Sequence, residues 1–405
     1  MPEIVSTDFS KSNLEDIQYT KINVKTSWLI ISDNKLRNIP DDIQNLRYLT
    51  RLAANDNKIE EISPKICSLV NLSWVDFTRN RLKKLPDDFH NLSRITGLGL
   101  SENEFEDIPE NIYKMISLRK FGFFSNRIKS IRPDIKYLRN LVKIDLSNNF
   151  ITNLPEEICE LTYLNWLNLS NNKLTSLPKD MNNLIHLEEL GLGMNNLTEL
   201  PELDKLYKLR ILPVFKNKLR IVTDSLQYCK SLEKLDFSDN EITSFPDSLL
   251  NLPCLRYLNL KGNKIKRIEI ENIEYIRSSI NMIDLSDNRL ESVPYKFFKI
   301  FSNITTIKIS DNPYNLPHNT RPLKITLLEK CYNRILNLKY QINPYFNVLF
   351  KKIRVCDICN SYYVNHPYYI YNKSSVEDEE QFVFVVEKTC CSNGCYKKET
   401  QKVYK

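Results

Sequence analysis

An asparagine returns at nearly constant intervals along this chain of 405 residues. It stands at Asn34, Asn57, Asn80, Asn103, Asn126, Asn149, Asn172, Asn195, Asn217, Asn240, Asn263, Asn288 and Asn312. Seven steps of 23 residues open the series, one of 22 follows, then two of 23, one of 25 and one of 24. The surroundings repeat as well. "LVKIDLSNNFITNLPEEICEL" starts at Leu141 and "LNWLNLSNNKLTSLPKDMNNL" at Leu164, and both follow LxxLxLxxNxLxxLPxxIxxL with Met181 at one isoleucine place. A unit this short cannot bury its own apolar face. It must stack on copies of itself, so the chain builds an array rather than one globular core.

Each part of the unit has a physical reading. The alternating apolar residues of LxL point inward from a short strand, and successive strands stack into a parallel sheet on the concave face. The asparagine amide sits at the following turn, where two donors and one carbonyl can satisfy backbone groups of neighbouring turns. The "LP" pair, as in Leu85-Pro86, Leu154-Pro155 and Leu177-Pro178, opens a short convex helical turn, and proline suits a first turn whose N–H lacks a partner. These units predict an α/β repeat: a leucine-rich repeat solenoid of about 13 repeats over residues 28–316, with 1–27 as an N-terminal cap. Cys67, Cys159, Cys229 and Cys254 fall on convex segments at or near apolar places and are expected as small core residues.

Composition narrows the class. Apolar residues at 42% suffice for a core, yet no apolar run approaches the ~18 residues of a membrane span. The N-terminal "MPEIVSTDFSKSNLEDIQ" has no apolar stretch of a signal peptide, so a cytoplasmic or nuclear location is expected, with cysteines as thiols or metal ligands. The net charge of +7 gathers in the tail, where 14 Lys+Arg face 8 Asp+Glu from Pro317 onward. Those cations are scattered and interrupted by the four acids Glu377 to Glu380, which argues against a nucleic-acid face. No Walker loop, dinucleotide fingerprint or nucleophile elbow is present, and the expectation is a protein that is not an enzyme.

The strand positions that should face solvent are not uniform. All three tryptophans, Trp28, Trp74 and Trp166, lie six residues before the asparagine. Six of the seven glycines, Gly97, Gly99, Gly122, Gly191, Gly193 and Gly262, lie at outward places of the same kind, with Phe124, Met194, Pro213 and Phe215 among the rest. Glycine inside a strand costs roughly 0.5–1 kcal/mol against alanine and is found where another backbone approaches closely. Tryptophan beside it is the chemistry of a protein-binding hot spot. The expected partner-binding patch is Trp74, Gly97, Gly99, Gly122, Phe124, Trp166, Gly191, Gly193, Met194 and Phe215. The structural alternative is that the tryptophans pack sideways on neighbouring repeats and the glycines relieve crowding.

Beyond the repeats, residues 317–350 contain "RPLKITLLEKCYNRILNLKY", with Leu323, Leu327, Leu328, Cys331, Ile335 and Leu338 spaced as one face of an amphipathic helix. Such a helix would cap the solenoid. Within it Thr326, Leu327, Cys331 and Ile335 fit (S/T/P)LxxxCxxx(A/I/L/V), which is similar to the BC-box through which cullin-RING ligase receptors dock on elongin C. Residues 351–405 then carry Cys356-x2-Cys359 and Cys391-x3-Cys395 around two strand-like runs, "SYYVNHPYYIY" and "QFVFVVEK". Two sulfur pairs at the ends of a hairpin offer four thiolates to a structural zinc, as in a zinc ribbon. Metal-free buried thiols and a redox pair are the alternatives, and Cys390 competes with Cys391 for the fourth place. Five cysteines and one histidine, His366, fall short of the eight ligands of a RING.

The repeats from Trp28 to Leu316 resemble the intracellular short-repeat class typified by Ras-group scaffold proteins. Solenoid, "PLKITLLEKC" and paired cysteines together resemble leucine-rich repeat substrate receptors of cullin ubiquitin ligases. That resemblance implies elongin C and a cullin as partners, beside a protein captured on the concave face.

Overall fold

In a computed structural model the described residues are 5–313, except 20–21, 271–275, 277, 295–296, 298–299 and 302–303, together with the backbone of four strands between 353 and 390. The elongin-docking candidates Thr326, Leu327, Cys331 and Ile335 and the metal candidates Cys356, Cys359, Cys391 and Cys395 lie outside the described residues. Contacts divide the chain into two units, Met1–Asn240 with Leu252–Leu255, and Glu241–Asn251 with Arg256–Lys405.

The first unit is a parallel sheet of three-residue strands, one from each turn of chain. The strands are Ser6–Asp8, Trp28–Ile30, Arg51–Ala53, Trp74–Asp76, Gly97–Gly99, Lys120–Gly122, Lys143–Asp145, Trp166–Asn168, Glu189–Gly191, Ile211–Pro213 and Lys234–Asp236. Neighbours pair in step with the sequence period, so Trp74 faces Gly97, Gly97 faces Lys120, Lys120 faces Lys143 and Lys143 faces Trp166. The central residue of each strand, such as Val75, Leu98, Phe121, Ile144 or Leu167, is buried. Phe77, Phe89, Phe105 and Phe123 fill the interior behind it, with Phe105 and Phe123 rings 5.0 Å apart.

The asparagine amides tie one turn to the next. Asn149 Nδ2 donates to its own turn at Leu146 O (3.1 Å) and to the preceding turn at Phe123 O (3.0 Å), while its Oδ1 accepts from Ile128 N–H (3.0 Å). Asn80, Asn103, Asn126, Asn172 and Asn195 repeat the pattern. Asn34 extends it to the N-terminal residues, where it donates to Phe9 O and accepts from Leu14 N–H. The 22-residue step does not interrupt it: Asn217 bonds Leu192 O, Val214 O and Leu197 N–H, each at 3.0 Å.

The face opposite the sheet differs from the α/β expectation. Among the described residues it carries five-residue 3-10 turns and no α-helix, from Asp41–Asn45 to Asp224–Tyr228 in the first unit. A 23-residue turn of chain has too few residues left for a longer helix after its strand and two corners. Pro86, Pro109, Pro155 and Pro178 stand one place before the expected first helical residue, as the capping residue in extended backbone. The carbonyls of Pro86, Pro109 and Pro155 accept the first turn's bond, as from Phe89 N–H to Pro86 O at 3.0 Å. The short step between Asn195 and Asn217 omits the 3-10 turn altogether. There Leu203 N–H donates to Ser225 Oγ of the next turn (3.1 Å) in place of a helical-turn carbonyl, while Leu203 O accepts from Leu206 N–H in its own turn (3.0 Å) and from Cys229 Sγ (3.1 Å).

The cysteines divide. Cys159 and Cys229 are buried, and burial pushes both thiols up to about 12. Cys67 is half-buried, with its thiol raised to about 11 by burial and then by Asp88. Cys254 is exposed rather than in the core, because it follows Pro253 in an outward pair between Leu252 and Leu255.

In the second unit Tyr257–Asn259, Met282–Asp284 and Thr306–Lys308 pair in parallel, and Asn288 and Asn312 bond the turns before them through Leu260 O and Leu285 O. The run "SYYVNHPYYIY" is two strands, not one. Tyr362–Val364 pairs antiparallel with Ile353–Val355, and Tyr368–Val376 forms an antiparallel hairpin with Phe382–Cys390. Phe382–Cys390 also pairs in parallel with Val293–Pro294.

Two outcomes follow. Asn149→Ala strips partners from three buried backbone groups and should lower unfolding free energy in urea by about 3 kcal/mol, whereas exposed Asn153→Ala should change it by less than about 0.5 kcal/mol. Thiol labelling of the native chain with peptide mapping should modify Cys254 quickly and reach Cys159 and Cys229 only on unfolding. Their raised thiols hold a proton that the unfolded chain releases above its ordinary thiol range near 8.5, so each removes stability as pH rises from there toward about 12.

Candidate protein-binding face

Every strand of the first unit sends its outer two residues to the exposed side of the sheet, giving two rows across the repeats. One row reads Trp28, Arg51, Trp74, Gly97, Lys120, Lys143, Trp166, Glu189, and the other Ile30, Ala53, Asp76, Gly99, Gly122, Asp145, Asn168, Gly191. Between Trp74 and Trp166 lies an open basin of about 380 Å³, lined by Trp74, Asp76, Gly97, Gly99, Lys120, Gly122, Lys143, Asp145 and Trp166 with the tops of Leu98 and Phe121. Four strand spacings separate its walls, roughly 19 Å.

The indoles are held in place. Arg51 stacks its guanidinium between two of them, 4.5 Å from the Trp28 ring centre and 5.2 Å from that of Trp74. Trp74 in turn leans over Gly97, where an added Cβ would lie 2.7 Å from its Cδ1. Trp166 donates from Nε1 to Glu189 Oε2 at 2.8 Å. Both rings are half-buried and keep one face toward the basin. The carboxylates below are turned into their own chain: Asp76 Oδ1 accepts from Thr78 N–H (2.9 Å), and Asp145 Oδ1 from Ser147 N–H (3.1 Å) and Oγ (2.7 Å).

Five of the ten predicted patch residues, Trp74, Gly97, Gly99, Gly122 and Trp166, meet in this basin. Phe124, Gly191, Gly193, Met194 and Phe215 lie outside its lining. Phe215 covers Gly193, which is buried beneath it, with its ring occupying the space that a Cβ would need. Asp76 and Thr78 fill the space above Gly99, and Asn168 and Ser170 that above Gly191. Gly122 is the least covered of these five, its one near neighbour being Ser101 Oγ at 3.1 Å, which accepts from Phe124 N–H. The glycines therefore chiefly make room for side chains of the preceding or following strand. Met194 is 41% exposed, carried out by a left-handed turn (φ 59°) that precedes the ladder asparagine. Sequence reasoning missed Lys120 and Lys143, although the period already put them in the tryptophan row.

The fold is that of a leucine-rich repeat solenoid. Residues 103–269 match a family model described as a leucine-rich repeat region. An 82-residue segment is 32% identical to leucine-rich repeat serine/threonine-protein kinase 1 of Caenorhabditis elegans, spanning 20% of this chain and only 3% of that protein. A leucine-rich repeat protein of Leptospira interrogans superimposes with a TM-score of 0.69 at 26% identity, over 82% of this chain and 81% of that one. The plant peptide hormone receptor RGFR1 in complex with RGF2 shares the fold at a TM-score of 0.52 and 22% identity, over 76% and 63% of the chains.

The two kinds of glycine predict different outcomes. Gly97→Ala should force the Trp74 ring to move, costing about 1–3 kcal/mol and changing tryptophan fluorescence. Gly122→Ala should cost less than about 1 kcal/mol and leave the fluorescence unchanged.

Proposed function

We propose that this chain is a non-catalytic receptor that captures a protein on the exposed face of its sheet and presents it to a cullin-RING ubiquitin ligase. Leucine-rich repeat domains are protein-interaction modules, and RGFR1 with RGF2 is one such complex. The observation that carries the reading here is the basin walled by two fixed indoles, an aromatic pair pre-ordered on a rigid sheet and still accessible.

The ligase assignment rests on the tail. Thr326, Leu327, Cys331 and Ile335 would dock elongin C, and the helix with its paired cysteines resembles the tail of leucine-rich repeat-containing protein 58. Cys356, Cys359, Cys391 and Cys395 would hold a structural zinc, in a protein working in the cytoplasm or nucleus. A strand ends at Val355, directly before the first cysteine pair, and another at Cys390, directly before the second. That order along the chain is what a zinc ribbon requires.

Co-purification of elongin C and a cullin with the full chain, lost in the double variant Leu327→Ser with Cys331→Phe, is the expected result. Absence of both from wild-type preparations would refute the ligase assignment in favour of a signalling scaffold of the Ras-group type.

A further inference from the structure

The basin has a charge arrangement that its tryptophans do not explain. Lys120 and Lys143 are direct register partners on adjacent strands, and both are exposed. Adjacent strands run about 4.8 Å apart, and like charges at that spacing repel. Among the described residues, neither ammonium has an ion pair or a side-chain hydrogen bond. Arg119, next in the chain to Lys120, is likewise exposed and unpaired. Elsewhere on this unit cations do find carboxylates across the repeats: Arg79 with Asp56 and Glu102, Lys129 with Glu106, Arg210 with Glu233. The two acids inside the basin each turn Oδ1 to Thr78 or Ser147 of their own turns, and neither forms an ion pair with Lys120 or Lys143.

We infer that the partner is an extended peptide segment bearing aspartate or glutamate, whose carboxylate sits over Lys120 and Lys143 while flanking side chains lie against Trp74 and Trp166. This rests on the proposed capture of a protein at the basin and adds its chemistry. The span of roughly 19 Å between the indoles accommodates about five or six extended residues. A carboxylate there relieves the lysine pair's repulsion and meets two cations at once. Beyond Trp166 the row turns acidic with Glu189, which follows Glu188 in the chain, so the acidic residue belongs between the tryptophans and not past them.

The test is selection of an unphosphorylated random peptide library on the full-length chain, followed by fluorescence anisotropy of the enriched peptides. Enrichment of Asp and Glu is expected, with affinity falling as salt rises. The double variant Lys120→Glu with Lys143→Glu should weaken the selected peptides by tenfold or more. It should also enrich Lys- or Arg-bearing peptides when selected afresh. Independently, Lys120→Glu alone should raise the melting temperature by pairing with Lys143. Peptides lost with Trp166→Ala but showing no acidic preference and no response to the lysine variants would overturn this inference and leave capture at the basin standing. Peptides indifferent to Trp166→Ala, or none enriched, would overturn both. A Lys120→Glu variant no more stable than wild type would remove the repulsion on which the inference depends.

Discussion

One side-chain amide, making bonds in two directions, holds the repeats of this protein in register. Each ladder asparagine of the first unit donates to a carbonyl of its own turn and to one from the turn before, while its oxygen accepts an N–H that no strand reaches. Backbone groups at a corner lie outside the strand ladder, and buried without partners each would cost about 1–3 kcal/mol. Asparagine alone among short side chains offers two donors and an acceptor on a planar group. The period of the sequence is the period of this bond. Reaching it requires the preceding residue to take a left-handed conformation, at φ between 53° and 59° for Asp33, Asp56, Arg79, Glu102, Ser125, Asn148, Asn171, Met194, Lys216 and Asp239. Backbone of this kind costs roughly 1–2 kcal/mol per residue, an expense accepted at every turn of the unit.

The ladder then decides what the sheet can present. Because successive strands cannot slip, residues a period apart become neighbours: Trp28, Arg51, Trp74 and Gly97 form a row in which each side chain's posture depends on the next. Arg51 is sandwiched, Trp74 needs the missing side chain of Gly97, and Lys120 and Lys143 are register partners on adjacent strands. A binding surface on such a face is ordered before any partner arrives, so less conformational freedom is lost on association.

The fold was legible in the sequence where one residue type does one job. The asparagines, the inward leucines and the strands could be placed from spacing alone, and the 22-residue step read correctly as a variation and not a break. The convex turns were harder, because "LP" marks a corner without saying whether a 3-10 or an α turn follows, and the proline stands a place earlier than its missing N–H suggests. The exposed Cys254 shows the same limit: an apolar residue near a core place can still face water when the chain doubles outward. On the binding face the tryptophans and glycines were visible as a pattern, but their meaning depended on which neighbour leans over which. Side-chain direction across strands separates Gly122, neighboured by one serine hydroxyl, from Gly97 and Gly193, covered by aromatic rings, and a period carries no such information.

If the amide ladder holds the strands beneath the basin, loosening one rung must loosen the basin itself. Asn126 bonds Leu100 O and Phe123 O and receives Phe105 N–H, beside the strands Gly97–Gly99 and Lys120–Gly122. Native-state hydrogen exchange on Asn126→Ala measures this directly. The amides of Phe105, Leu100 and Phe123 should lose protection together, while those around Leu29 and Leu52 keep theirs. Protection unchanged at Leu100 and Phe123 would contradict the account, because the sheet would then hold its register without the amide.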